Sequence, residues 1–406
     1  MPALVKKLPP YLLVGLLSAW MASLATQIGD WDSDTAPAVH ALAAGHVGSY
    51  LSAKAMMGPF ATLVQAPFVA LFGATGVTAY QWAVFPCLLA AGLVGLYLAR
   101  IAGRRGASLA TQVLLAALCL LNPLTFEALE NGHPEEILTA ALVVAALAAA
   151  GEKKPWRTAI LLGLAVASKQ WAVIAILPAL MVLPAHRLRV AAGAVAVVAL
   201  LTLPSLAASP SSFVGVQTQA AGTGRVVTPW SAWYPFASPR TAVYSIDGEH
   251  LVAHLEDAPS LADPVSHPLI VLLALTLPFV VAWRRGLPLS PADGFALLAL
   301  LALLRCVLDP VDNLYYHEPL LLALIGWDAY ASRGLPLRAL LGVGVSLVFW
   351  RALHHISDPA AFNVAYLGFA AALGIGLLSS LFKPFSGRSF QFGNFSRYGA
   401  QISGIK

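Results

Sequence analysis

Apolar runs long enough to cross a bilayer recur from residue 11 to residue 382, and they leave few folds open to the chain. In lipid, backbone polar groups must be satisfied within the chain, so such runs become helices. About 20 apolar residues suffice for one crossing. Charged residues make up only 11% of the chain and hydrophobic residues 59%, where a soluble domain carries roughly 25% charged. The net charge of +5 is not a nucleic-acid signal, because the basic residues sit in short clusters between apolar runs, as cytoplasmic loops do. Cys87, Cys119 and Cys306 all fall inside apolar runs. They read as small buried hydrophobes and not as a disulfide framework.

Spans are predicted near 11–29, 77–99, 106–122, 136–151, 188–206, 267–283, 290–308, 317–331, 336–353 and 359–382. The first is read as an uncleaved helix in preference to a signal peptide, since it is long and further spans follow. Two regions need separate treatment. Residues 59–73 are apolar but short and contain Pro67. If they crossed, Arg100, Arg104 and Arg105 would share a face with Asp30, Asp32 and Asp34, against the positive-inside rule. This stretch is expected to lie in the outer interface or dip into it. Residues 158–184 are flanked by Arg157, Arg187 and Arg189, so both ends are cytoplasmic. Two short arms, about 158–168 and 171–185, satisfy the charge rule and place Lys169 and Gln170 at the tip. A lysine at that depth must face protein, water or an anion.

This threading gives about twelve passes and puts both termini inside. All but Lys54, Lys169, Arg225, Arg240, Arg305 and Arg351 of the 24 Lys and Arg then lie inside. Of 19 acids only Glu152, Asp293 and Asp328 do. The outer face is acidic, which points to chemistry outside the cytoplasm. The fold class is an all-α polytopic membrane protein with short broken helices and outer-face amphipathic helices. Residues 1–383 form one integral-membrane domain, with outer segments 30–76, 123–135 and 207–266. Residues 384–406 are expected to be a Ser/Gly-rich flexible cytoplasmic tail, which need not belong to the natural chain. No fixed-period repeat is visible.

There is no Walker A motif and no GxGxxG entering a helix from a strand. An enzyme working outside needs an activated substrate already in the bilayer, and a sugar on a polyprenyl phosphate meets that need. Transfer from it requires a base for the acceptor hydroxyl and cations for the departing phosphate. No further cofactor is required. The base candidates are Asp30, Asp32 and Asp34. Asp34 is alternatively an N-cap for a helix near 36–47, and the other two are alternatively solvated acids. Asp32-Ser33-Asp34 is also a D-x-D that suits a divalent ion. The cation candidates are Lys169, Arg305 and His317. Arg305 is alternatively paired with Asp309 one turn on, and His317 is alternatively structural. His133 with Glu135, and Glu318 beside His317, are further acid–base pairs. Gln170 and Tyr316 flank the cations. Trp230 and Trp233 in the longest outer segment suit either the interface belt or a sugar ring.

The segment after the first span holds Asp34, "ALAAGHVGSY" and "GPF" at 58–60. Later come "LLGLAVASKQW" at 161–171 and "NLYYHEPLLLAL" at 313–324. Together these resemble the GT-C glycosyltransferases that use polyprenyl-phosphate sugars, and most narrowly glycosyltransferase family 87, the actinobacterial mannosyltransferases. The motifs cover about a quarter of the chain. The family's Tyr pair after the Asp is replaced here by Pro37, Val39 and His40, and the Trp before the late His by "LYY". The resemblance implies Asp34 as base, with Lys169 and His317 serving the donor phosphate. It implies inverting transfer of one sugar, mannose, to a glycolipid or lipid-linked glycan at the outer face of the cell membrane. The rival is a transporter or flippase, since half-length helices and an intramembrane Lys suit both. The threading predicts that cysteines introduced at Ser211 and Ser386 react oppositely with an impermeant thiol reagent in intact cells. Equal labelling rejects it.

Overall fold

The computed structural model describes residues 8–53, 55–221, 226–246, 249–353 and 358–382. The tail expected over 384–406 lies outside the described residues, as do Lys54 and Arg225. Each of the ten predicted spans contains a helix, from Leu8–Leu24 to Pro359–Phe382. Seven helices are long and apolar enough to cross a membrane among the described residues, so the polytopic helical architecture stands. The predicted 106–122 span is Leu109–Leu118, followed after a turn by Pro123–Glu130. Asn122 makes that second helix possible, because its Oδ1 accepts from the backbone N–H of Leu124 and Thr125.

Helix Pro134–Gly151 is the hub. All of its residues but Leu142 and Gly151 are buried. Its alanine-rich faces let Gly76–Arg104, Pro155–Val166 and Glu318–Ala331 approach closely. The ends of the helices gather at two poles. At one, Glu152 accepts from Tyr97, Arg104 and Lys154, Asp328 pairs with Arg338 at 2.6 Å and Arg285 with Asp293 at 3.7 Å. The opposite pole holds residues 28–34, 130–136, 168–171 and 305–317. That separation matches the inside–outside sorting of the charges.

The two expected arms are present. Pro155–Val166 rises about 18 Å, short of a ~30 Å bilayer core. The chain then breaks at Ala167–Lys169 and continues as the 3-10 turn Gln170–Ala175 and helix Ile176–Val182. The tip is held by the segment before the next helix: Gly58 N donates to Ser168 O at 2.9 Å and Phe60 N to Ala167 O at 3.1 Å. Helix Pro59–Phe72 then folds back along the start of Gly76–Arg104, with Phe72 stacked on Trp82 and Phe68 edge-on to Phe85. It therefore dips alongside a spanning helix instead of lying flat. The 207–266 segment departs from the all-α expectation. After helix Pro210–Ala221 it forms an antiparallel hairpin, Ser238–Ile246 with Glu249–Asp257.

Gly29 and Gly132 bring the first outer segment onto the start of the hub helix. Both have positive φ, +54° and +80°, a region that costs side-chain-bearing residues. A Cβ on Gly132 would lie 2.3 Å from Ile28 O, and one on Gly29 2.4 Å from the Asn131 carbonyl carbon. The contact is fixed by Asp30 N donating to Asn131 O at 3.1 Å. Gly132→Ala is expected to lower the melting temperature in detergent, by roughly 1–3 kcal/mol of backbone strain, and to displace Asp30. An unchanged melting temperature would show that the loop relaxes freely.

Candidate functional site

The sequence "HPEE" builds the core of the site. His133 precedes the hub helix, Pro134 occupies its first turn, and Glu135 and Glu136 follow. Acids in a first turn face the positive end of the helix dipole. Because the hub is enclosed on all sides, both carboxylates are buried, at 0% and 1% exposure. Buried carboxylates need cations. The broken arm supplies one: Lys169 Nζ lies 3.1 Å from Glu135 Oε1 and 3.2 Å from Glu136 Oε1. Helix Pro291–Leu308 supplies the other, with Arg305 Nη2 at 3.8 Å from Glu136 Oε1. The Arg305 guanidinium sits between the rings of Trp171 and Tyr316, 4.9 and 4.5 Å from their centroids. Trp171 Nε1–H donates to Glu136 Oε2 at 2.8 Å.

The cluster reaches the surface through His133. Its Nδ1 lies 3.0 Å from Glu135 Oε1 and its Nε2 3.3 Å from Asp30 Oδ2, while its ring stacks on Tyr315 at 5.0 Å. Burial opposes charge on this imidazole, but the hydrogen bonds to Asp30 and Glu135 outweigh it and raise its pKa to about 9. The same bond from His133 holds the Asp30 carboxyl below its ordinary value. Asp30, Glu135 and Glu136 thus balance His133, Lys169 and Arg305, three against three. Asp30 alone of the six is open, its side chain 69% exposed.

Of the residues predicted for the site, His133, Glu135, Lys169, Arg305 and Tyr316 come together, and they are joined by Asp30, a base candidate passed over for Asp34. Glu136 and Trp171 were missed, although Glu136 adjoins Glu135 in the same turn. Asp34, the expected base, is partly exposed and accepts from Ser33 Oγ at 2.8 Å. It does not cap the next helix, where Thr35 holds that position. Asp32 is exposed, and Asp32 with Asp34 forms no group of three ion-holding side chains among the described residues. Gln170 is exposed and bonds Gln217. Glu318 turns away from the cluster, accepting from Asn122 at 3.2 Å and Thr125 at 3.1 Å.

The late histidine and the tryptophans also sit elsewhere. His317 is buried with both nitrogens engaged, Nδ1 with Leu314 O at 3.0 Å and Nε2 with Tyr366 Oη at 2.8 Å. It offers no free nitrogen to a phosphate beside Lys169. Trp230 is 3% exposed and packed against Phe362, Tyr366 and Phe349, which suits a core plug and not a sugar platform. Trp233 Nε1–H is tied to Leu308 O at 2.9 Å.

The chain matches the family model described as glycosyltransferase family 87 over residues 57–310, more than half of its 406 residues. No curated protein matches it. Among solved structures it is similar to archaeal oligosaccharyltransferase AglB from Archaeoglobus fulgidus, in complex with an inhibitory peptide and a dolichol-phosphate, at 16% identity and a TM-score of 0.43. That likeness covers 91% of this chain and 55% of the other, so the chain spans about half the length of that enzyme.

The His133 proton gives the site a pH signature. A pKa raised in the folded state stabilises the fold fully below the unfolded value of about 6.5. The stabilisation is lost as pH rises through about 9. Asp30, shifted the other way, loses its contribution only on acidification. Between about pH 7 and pH 10 the wild-type melting temperature should therefore fall more steeply than that of His133→Gln. Parallel slopes would reject a protonated His133.

Proposed function

The chain belongs to glycosyltransferase family 87, of GT-C type, and from that membership we propose that it is a membrane glycosyltransferase drawing on a polyprenyl-phosphate sugar. The observation that carries the reading is the open Asp30 carboxylate joined through His133 to a buried cluster of acids and cations at the acidic pole. Asp30 serves as the base: it is ionised, reachable and held by both the His133 contact and its backbone bond to Asn131. The acceptor oxygen attacks the anomeric carbon, its proton passes to Asp30, and the bond to the phosphate oxygen breaks. One displacement inverts the anomeric centre.

Lys169 and Arg305 face the departing phosphate. A donor phosphodiester carries one negative charge and the leaving phosphate gains another. Cations already fixed by Glu135 and Glu136 are therefore worth more in the transition state than in the ground state. No metal is needed in this scheme, because the two side chains carry the positive charge. By the motif resemblance the sugar is mannose and the acceptor a glycolipid or lipid-linked glycan at the outer face of the cell membrane. Family membership and the gathering of acids at one pole favour transfer over a flippase.

The test is transfer from labelled polyprenyl-phosphate mannose to a glycolipid extract by the purified protein. Asp30→Asn should lower turnover by at least ~10², the low end for general-base catalysis, while the protein still folds, at a melting temperature lowered only by loss of the charged contact with His133. Lys169→Ala should also be crippled, and Lys169→Arg should recover only in part, because a planar fork replaces a point charge. Asp34→Asn should stay near wild type. If Asp34→Asn is the dead variant instead, the base lies four residues further along, where the motif resemblance puts it. Lipid movement across vesicles without sugar transfer would overturn the enzyme reading.

A further inference from the structure

Behind the site, on the far side of the segment that carries Arg305 and Tyr316, lie three side chains that the proposed chemistry does not use. Cys306, Asp312 and His317 are all buried, and one potential ligand atom from each lies within 4.8 Å of the others. They come from the end of helix Pro291–Leu308, the following loop and the 3-10 turn Leu314–His317.

Asp312 is the anomaly. It is 0% exposed, and neither of its carboxylate oxygens accepts a hydrogen bond. The ring nitrogen nearest it is His317 Nε2, at 3.6 Å. A buried carboxylate left so is costly. His317 sharpens the conflict. Leu314 O only accepts, so Nδ1 must carry a proton toward it, and in the neutral ring Nε2 then holds the lone pair. The Tyr366 hydroxyl donates into that lone pair at 2.8 Å, so the ring has no proton to give the Asp312 carboxylate 3.6 Å away. A histidine whose Nδ1–H is tied to a backbone carbonyl is also oriented as a metal ligand is, by its second nitrogen's partner. Cys306 Sγ–H donates only to Tyr316 O, at 3.3 Å.

We propose that Cys306, Asp312 and His317 form a buried binding site for a zinc-like divalent cation that fastens the end of helix Pro291–Leu308 to the turn before Glu318. The donor set is a thiolate, a carboxylate and an imidazole, the mixed soft and borderline ligands that zinc takes. Zn–ligand bonds of about 2.0–2.3 Å set tetrahedral ligands roughly 3.3–3.8 Å apart, so the three atoms need close by no more than ~1.5 Å. Tyr366 Oη, already on His317 Nε2, or a water completes the shell. Binding releases the Cys306 proton to solvent. A doubly charged cation with one thiolate, one carboxylate and a neutral imidazole sums to zero, the charge state that burial favours. The inference stands apart from the glycosyl-transfer reading, and its readout is metal and not activity.

The full chain in detergent is stripped with a chelator, loaded with Co²⁺, dialysed and measured for metal and absorption. About one cobalt per chain should remain, with a thiolate-to-cobalt charge-transfer band that added Zn²⁺ abolishes. Cys306→Ser should lose the band, and Asp312→Asn should lose most of the metal, while Cys119→Ser keeps both. If those variants fail to fold, X-ray absorption at the zinc edge of the zinc-loaded wild type decides, and should show one sulfur at about 2.3 Å. Folded wild type that retains no metal, a band unchanged in Cys306→Ser, or a zinc shell of nitrogen and oxygen alone would overturn the site. It would leave a buried Asp312 beside a neutral His317 only.

Discussion

Two carboxylates in the first turn of a helix that is enclosed on every side cannot stay ionised without cations, and one end of this protein is arranged around that requirement. Glu135 and Glu136 are buried because the hub helix is buried. Lys169 answers them, and it reaches them only because the arm Pro155–Val166 stops short. An unbroken helix would carry residue 169 further along its axis and leave two charges unpaired, at a cost of several kcal/mol each. The break, the bond from Gly58 to Ser168 and the dip of helix Pro59–Phe72 all serve the same end.

The positive-inside rule made this frame legible in the sequence. It forced residues 158–184 into two arms, put Lys169 at their tip and sorted the acids to one pole, and the structure has those features. Boundaries were good where apolar runs ended at charges or prolines, as at Pro134 and Pro359. The hairpin at 238–257 escaped notice because its alternation is weak. The partners within the site were less legible. Three acids within five residues are equivalent by composition. The pair of positive-φ glycines that presses Asp30, and not Asp34, against His133 is a three-dimensional fact. His317 read as a partner for the donor phosphate because it stands where an outer loop enters a span, yet the 226–233 segment folds over it and seals it with Trp230.

The electrostatic state of the cluster bears on how it works. Three acids and three cations cancel, so the site is not a standing trap for any anion that reaches it. Discrimination then comes from charge that develops during reaction, where fixed partners need no reorganisation. The open end of the chain of contacts is a carboxylate and the deep end is a guanidinium clamped between two rings. In the proposed transfer a proton would be accepted at the mouth while negative charge grows toward the interior cations, and the two changes would offset each other along one line of contacts.

Residues 305–317 serve two clusters at once. Arg305 turns toward Glu136 while its neighbour Cys306 turns toward Asp312 and His317. Tyr316 lies against Arg305 while its neighbour His317 lies against Tyr366. One atom touches both sides: Tyr316 O accepts from Arg305 Nη1 at 3.4 Å and from Cys306 Sγ at 3.3 Å. A carbonyl oxygen has two lone pairs, and here each is given to a different cluster. Loss of the Cys306 proton to a bound cation would leave that oxygen with Arg305 as its remaining side-chain donor. The strength of the Arg305 bond, and so the hold on the guanidinium beside Glu136, would then depend on what fills the space behind it.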